Sequence, residues 1–194
     1  MEYAETETRW VKFGNIEDLV LIGKDVVGCA WGVYLRFHNL NTGESRTEKF
    51  GHETKSDGAS CLAGHPVVSM FAIAERKPNP RVLIFTYPEM TKVSTCSNGA
   101  PNGFLGSVFA GTEYLVTLSS FPHFEITLWQ WRTGEKVAVR NTSISDPRQP
   151  IKCSTTAPHT ISQLGLKTGR LFVHEISVCS RIISLLPTEI KNFN

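Results

Sequence analysis

Short apolar runs, each ended by proline, glycine or a charged turn, follow one another along most of this chain. Val82-Leu83-Ile84-Phe85 and Ile126-Thr127-Leu128-Trp129 show the type. Their β-branched and aromatic residues come in nearly unbroken succession, as in strands buried on both faces. No stretch of helical length carries a 3.6-residue apolar period, and prolines and glycines interrupt most windows, so the chain reads as all-β. In the second quarter, Cys61-Leu62-Ala63 leads through Gly64-His65-Pro66 to a predicted strand at Ser69–Ala74. Glu75-Arg76-Lys77-Pro78-Asn79-Pro80 breaks the chain before strands at Arg81–Tyr87 and Thr91–Cys96. The third quarter repeats this order with Phe104–Phe109, Glu113–Ser119, Glu125–Trp131 and Lys136–Arg140. The fourth runs through Ile151–Cys153, Thr160–Leu164, Arg170–Ile176 and Arg181–Leu186. Gly134, Gly43 and Gly169 sit in the turns, where a hairpin loop needs a residue that accepts positive φ.

The quarters are repeats. Phe37-His38-Asn39-Leu40, Ile84-Phe85-Thr86-Tyr87, Leu128-Trp129-Gln130-Trp131 and Val173-His174-Glu175-Ile176 align about 45 residues apart. Four strands per unit at that period is the mark of WD40-like β-propeller blades, each strand pressed between neighbouring blades. The reading is therefore a tail at 1–14 and a propeller segment of about four blades at 15–194. Propellers of this kind usually close with more blades, and an open arc leaves apolar faces uncovered. The expectation is an incomplete propeller: the N-terminal part of a longer one, a short product of one, or a segment completed by another chain. A self-contained four-bladed ring is the alternative.

The Trp-Asp pair that names such repeats is degenerate here, as His38-Asn39, Phe85-Thr86, Trp129-Gln130 and His174-Glu175. Without the usual Asp, His and Ser/Thr brace, the blades are expected to rest on apolar packing. His38, Phe85, Trp129, Trp131 and His174 are then structural anchors, the two histidines half-buried. Partner binding is assigned to loops. Arg76-Lys77-Pro78-Asn79-Pro80 and Ser120-Phe121-Pro122-His123-Phe124 both join a second to a third strand, on the rim shared with the inter-blade connections. Arg76, Lys77 and Asn79 in the first, with Phe121, His123 and Phe124 in the second, are the candidates, because aromatic groups beside basic ones suit a protein interface. The competing reading tucks Phe121 or Phe124 back into its own blade.

The third unit also resembles a known family. Gly111-Thr112-Glu113-Tyr114-Leu115, Ser119-Ser120-Phe121-Pro122-His123-Phe124-Glu125 and Leu128-Trp129-Gln130-Trp131 are similar to the N-terminal propeller of the cilia- and flagella-associated protein 43 family. Glu75–Pro80 and Ile84–Pro88 look like its second blade. Ciliary WD-repeat proteins 44 and 57 of the same naming series are the nearest alternatives. The resemblance implies a non-enzymatic scaffold of the ciliary or flagellar axoneme, of the tether and tether-head type, linking an inner-arm dynein to the doublet microtubule. Its implied partners are other axonemal tether proteins, the dynein and the microtubule. The family's second propeller and coiled-coil segments are not in this sequence. A WD-repeat adaptor in another cytoplasmic complex is the rival reading.

Composition removes several other classes. Twenty basic and 18 acidic residues give a net charge of +2 with no basic stripe, so no nucleic-acid role is expected. No apolar run reaches membrane-spanning length, and the start Met1–Glu7 is polar and acidic, unlike a targeting leader. Five scattered cysteines, with no CxxC or Cys/His cluster, suggest buried thiols and no metal or cofactor. Asn141-Thr142-Ser143 fits the glycosylation pattern and is expected to be silent. Cys153 with His159 is a weak nucleophile–base candidate. Gly58-Ala59-Ser60-Cys61-Leu62 fails as a nucleophile elbow, since Leu62 stands where the second glycine belongs. Gly99, Gly103 and Gly106 lack phosphate-loop spacing. No catalytic set emerges.

Overall fold

The computed structural model describes residues 16, 18–50, 56–179 and 182–190, with backbone only at 179 and 182. The expected tail at 1–14 lies outside the described residues. Among the described residues, sixteen strands form four antiparallel meanders of four strands, and there is no helix. Blade 1 holds β1 (Asp18–Ile22), β2 (Val26–Trp31), β3 (Tyr34–Asn39) and β4 (Ser45–Lys49). Blade 2 holds β5 (Ala59–Gly64), β6 (Met70–Glu75), β7 (Val82–Thr86) and β8 (Lys92–Cys96). Blade 3 holds β9 (Phe104–Ala110), β10 (Tyr114–Ser119), β11 (Glu125–Gln130) and β12 (Glu135–Asn141). Blade 4 holds β13 (Ile151–Cys153), β14 (Thr160–Leu164), β15 (Leu171–Cys179) and β16 (Ile182–Ile190).

Each blade lies against the next, and among the described residues the buried apolar clusters join only successive blades. The result is an arc of WD40-like blades, an incomplete propeller. The innermost strands β1, β5, β9 and β13 line a cavity of about 540 Å³ on its concave side. Spacing is tight there: a Cβ on Gly64 would stand 1.8 Å from the Leu21 carbonyl oxygen, so only glycine lets β5 approach β1 this closely.

Because alternate residues of a strand point to opposite faces, every blade has a leading face, toward its predecessor, and a trailing face, toward its successor. The central pairs on the trailing side are Ala30 with Leu35, Ala74 with Val82 and Leu118 with Ile126, all buried. They meet the leading faces of the following blades: Phe71, Ile73 and Leu83 in blade 2, Leu115 and Trp129 in blade 3, Ile161 and Ile176 in blade 4. Three apolar layers, one between each pair of blades, therefore carry the fold, as nearly continuous hydrophobic strands require. Burying one such side chain contributes about 1.5–3 kcal/mol.

The fourth unit departs from expectation in its outer hairpin. β15 and β16 are longer than the predicted Arg170–Ile176 and Arg181–Leu186, pairing from Leu171↔Ile190 to Cys179↔Ile182. Pro187 does not end β16, because β16 is the outermost strand of its sheet. A proline is tolerated there, where half of the backbone donors have no partner strand to reach.

A candidate protein-interaction rim

The loops from second to third strand and the connections between blades meet on one rim of the arc. Phe50 N donates to Val33 O, Asp57 N to Arg76 O, Ser120 N to Gly103 O and Thr142 N to Phe124 O. Two further bonds join neighbouring loops across blades 2 and 3. Asn79 N donates to Pro101 O at 2.7 Å, and Asn102 Nδ2 donates to Phe121 O at 3.1 Å. The two candidate loops are thus bridged by the Pro101-Asn102 connection into one continuous surface.

Their side chains behave differently. Phe121 is 69% exposed, the most exposed large hydrophobic among the described residues. Pro122, His123 and Asn79 are exposed beside it. Phe124 is buried, with φ +49°, and its carbonyl accepts from Thr142 Oγ1 at 2.7 Å. This single loop thus divides its two phenylalanines: one pins the loop to the blade and the other projects from it. Arg76 and Lys77 are only partly exposed and are committed to the loop's own structure. Arg76 Nη2 donates to Ala59 O at 2.9 Å, and Lys77 Nζ donates to Glu75 Oε1 at 3.0 Å.

Glu75 organises that loop and escaped the sequence reading. Its carboxylate is fully buried and accepts from Arg81 N, Arg81 Nε, Arg81 Nη2 and Lys77 Nζ at 2.8–3.0 Å. Burial alone would raise its pKa, but the Arg81 and Lys77 hydrogen bonds outweigh this and lower it. The available signal was an acid closing an apolar strand with Arg76, Lys77 and Arg81 close behind.

The anchors also resolve individually. Trp129 is fully buried and donates from Nε1 to Thr117 Oγ1 at 2.9 Å, keeping a Trp–Thr pair within blade 3. Trp131 is buried, donates to Thr112 O at 3.0 Å and packs edge-on against Phe109 and His65. Phe85 is partly buried and stacks on Phe71, with ring centroids 5.9 Å apart. His38 is a correction: it is exposed, with Nδ1 2.9 Å from Ser45 Oγ. Phe85, Trp129 and His174 all face a preceding blade, whereas His38 occupies the same repeat position in the first blade, on its leading face.

His174 is more deeply buried than the expected half, and it belongs to a polar chain not foreseen from the sequence. Gln149 Nε2 donates to the carbonyls of Ile144 and Asp146, at 3.1 and 2.7 Å. Gln163 Nε2 donates to Gln149 Oε1 at 2.5 Å, leaving Gln163 Oε1 to accept from His174 Nε2 at 2.8 Å. The order of donors fixes the neutral Nε2–H tautomer. His174 Nδ1 is buried without a hydrogen-bond partner. Burial, and then the charge of Arg140, lower its pKa to about 4. Blade 4 thus has its own internal brace, in addition to the apolar packing on which the blades were expected to depend more heavily.

The catalytic candidates have no supporting geometry. Cys153 Sγ points at Pro158 O, 3.3 Å away, and burial raises its pKa, the reverse of what an activated thiol needs. Ser60 Oγ donates to Ala74 O at 3.3 Å, within its own blade. Cys61 and Cys96 are free thiols pushed up to about 12 by burial. Among the described residues no group of three His, Cys, Asp or Glu could hold a metal ion.

Comparison with known proteins follows the same lines. No family model matches the chain. It is 27% identical over 187 residues to cilia- and flagella-associated protein 43 of Xenopus laevis, covering 95% of this chain and 11% of that protein. It is 26% identical over 136 residues to cilia- and flagella-associated protein 44 of Chlamydomonas reinhardtii, covering 66% of this chain and 8% of that protein. The chain therefore spans about a tenth of the length of these relatives. Among solved structures, a crystal structure of RRP9 WD40 repeats matches with TM-score 0.64 and 11% identity, over 88% of this chain and 50% of that one. In fold the chain is an arc of WD40-like blades, and in sequence it is similar to cilia- and flagella-associated proteins 43 and 44.

Proposed function

We propose that this chain is a non-enzymatic scaffold segment of the cilium or flagellum, displaying the Phe121 rim to protein partners in the axoneme. The observation that carries this reading is the similarity to protein 43 along nearly the whole chain, with a second similarity to protein 44. The mechanism is rigid display. Apolar layers fix the blades, Phe124 and Glu75 fix the loops, and Phe121 with Pro122, His123 and Asn79 is offered outward. An exposed aromatic on a braced loop loses little conformational freedom on binding, which is what an interface anchor requires. The finer assignment is a tether or tether-head component that connects an inner-arm dynein to the doublet microtubule. Partners are then neighbouring axonemal WD-repeat proteins, the dynein and the microtubule. A tagged chain expressed in ciliated cells tests this. Retention in the axoneme after detergent extraction is expected, and a tag spread evenly through the cell body and absent from extracted axonemes would overturn it.

A further inference from the structure

Asparagine followed by glycine is prone to lose its side-chain amide, because a residue without a Cβ lets its own backbone nitrogen reach the asparagine Cγ. The sequence holds two such pairs, Asn98-Gly99 and Asn102-Gly103, both in the connection between β8 and β9. The fold treats them differently. A Cβ on Gly99 would stand 2.7 Å from the Trp129 ring and 3.0 Å from that of Phe104, so this backbone is pressed onto buried aromatics. Asn98 is held at φ +61°, and its carbonyl accepts from Lys136 Nζ. The peptide plane between these two residues is clamped from both sides. Asn102, by contrast, is exposed and Gly103 half-buried, and a Cβ on Gly103 would meet nothing nearer than Ser120 Oγ at 3.5 Å. The Gly103 N–H has no hydrogen-bond partner among the described residues, so the nitrogen that must attack is unengaged.

We propose that Asn102 is a site of spontaneous deamidation, and that its conversion releases the brace between the two rim loops. Gly103 N attacks Asn102 Cγ and a ring-closing C–N bond forms. The Cγ–Nδ2 bond breaks, and the departing nitrogen takes the proton from Gly103 N and leaves as ammonia. Water then opens the cyclic imide. Opening at the side-chain carbonyl gives aspartate; opening at the main-chain carbonyl gives isoaspartate, whose chain runs through Cβ and Cγ. The net change is amide plus water to carboxylate plus ammonium, with nothing oxidised or reduced. Three rim contacts depend on this step. Asn102 Nδ2 donates to Phe121 O at 3.1 Å, and a carboxylate in its place can only accept, so the bond becomes a repulsion between oxygens. Pro101 O accepts from Asn79 N at 2.7 Å and Gly103 O accepts from Ser120 N at 2.9 Å, on either side of the altered residue. The extra main-chain carbon of isoaspartate shifts one of these carbonyls against the other. The Phe121 loop is thus braced in new protein and freed, beside a new negative charge, as the protein ages. This chemistry is independent of the ciliary reading.

The test is peptide mapping by mass spectrometry of the purified chain after incubation at mildly alkaline pH, both folded and unfolded in urea. In the folded chain Asn102 is expected to gain the mass difference between OH and NH2, while fragment ions show Asn98 still amidated. In urea, where the clamp on Asn98 is gone, both residues should convert. Gly103→Ala, which the space at that position accommodates, should slow the reaction in the folded chain several-fold. Hydrogen exchange at the Asn79 and Ser120 amides should be faster in aged wild type than in Gly103→Ala protein aged alongside it. An intact Asn102 in the folded chain, or equal conversion of Asn98 and Asn102 there, would overturn the site. Exchange at Asn79 and Ser120 that stays unchanged after conversion would overturn the release of the loops.

Discussion

Acidification should weaken this fold through His174, by an amount the structure allows to be worked out. In the folded chain the imidazole is neutral, its Nε2–H committed to Gln163 and its Nδ1 buried without a partner. A second proton would have no acceptor and would lie near Arg140, which is why the pKa falls from 6.5 to about 4. The unfolded chain binds a proton near pH 6.5 that the folded chain refuses until about pH 4. Stability from this group is therefore fully present above 6.5 and is lost as the pH falls through that window. At 1.36 kcal/mol per pKa unit, the loss between pH 7.5 and 5 is about 2 kcal/mol. For a domain of this size that corresponds to a fall in Tm of about 4–8 °C. His174→Gln keeps a donor for Gln163 and removes the titration. His65, whose pKa burial also lowers, is present in both proteins and cancels from the comparison. Thermal unfolding of the two proteins at both pH values gives the difference in slope directly. Equal pH dependence in wild type and His174→Gln would refute the reasoning, whatever their absolute stabilities.

Trp129→Ala should cost about 3–5 kcal/mol, because it empties the layer between blades 2 and 3 and leaves Thr117 unpaired; an unchanged urea midpoint would contradict this. Glu75→Ala should destabilise by about 2–4 kcal/mol and speed hydrogen exchange across Arg76–Arg81, since it leaves Arg81 and Lys77 without their shared carboxylate. Gly134→Ala should cost about 1–3 kcal/mol in a chemical denaturation series, because φ is +76° there and a Cβ would meet the Thr95 carbonyl oxygen at 2.3 Å. Phe124→Ala should lower Tm clearly while Phe121→Ala leaves it within about a degree, matching their opposite exposures.

The blades were legible in the sequence because their strands are short, apolar and punctuated. The segments around His38, Phe85, Trp129 and His174 fell into register because one repeat position keeps facing the same way. The sequence did not reveal which of those positions would be covered: His38 is exposed because no blade among the described residues packs on the leading face of blade 1, a fact of topology that no local pattern carries. The polar braces were hidden for a related reason. Gln149, Gln163 and His174 come from a connection and two strands, and only the folded sheet brings them into line. Glu75 and Arg81 were nearer to being readable, since a strand-ending acid followed by basic residues is a local pattern. The division of Phe121 from Phe124 depends on the positive φ at Phe124, a conformation uncommon for a bulky residue and unmarked by composition.

Binding of the purified chain to isolated axonemes, wild type beside Phe121→Ser, tests the scaffold account most directly. The account predicts saturable binding by the wild type, an affinity lower by about tenfold or more for the variant as befits loss of a central aromatic anchor, and equal thermal stability of the two. Binding that does not saturate, or that is the same for both proteins, would contradict it.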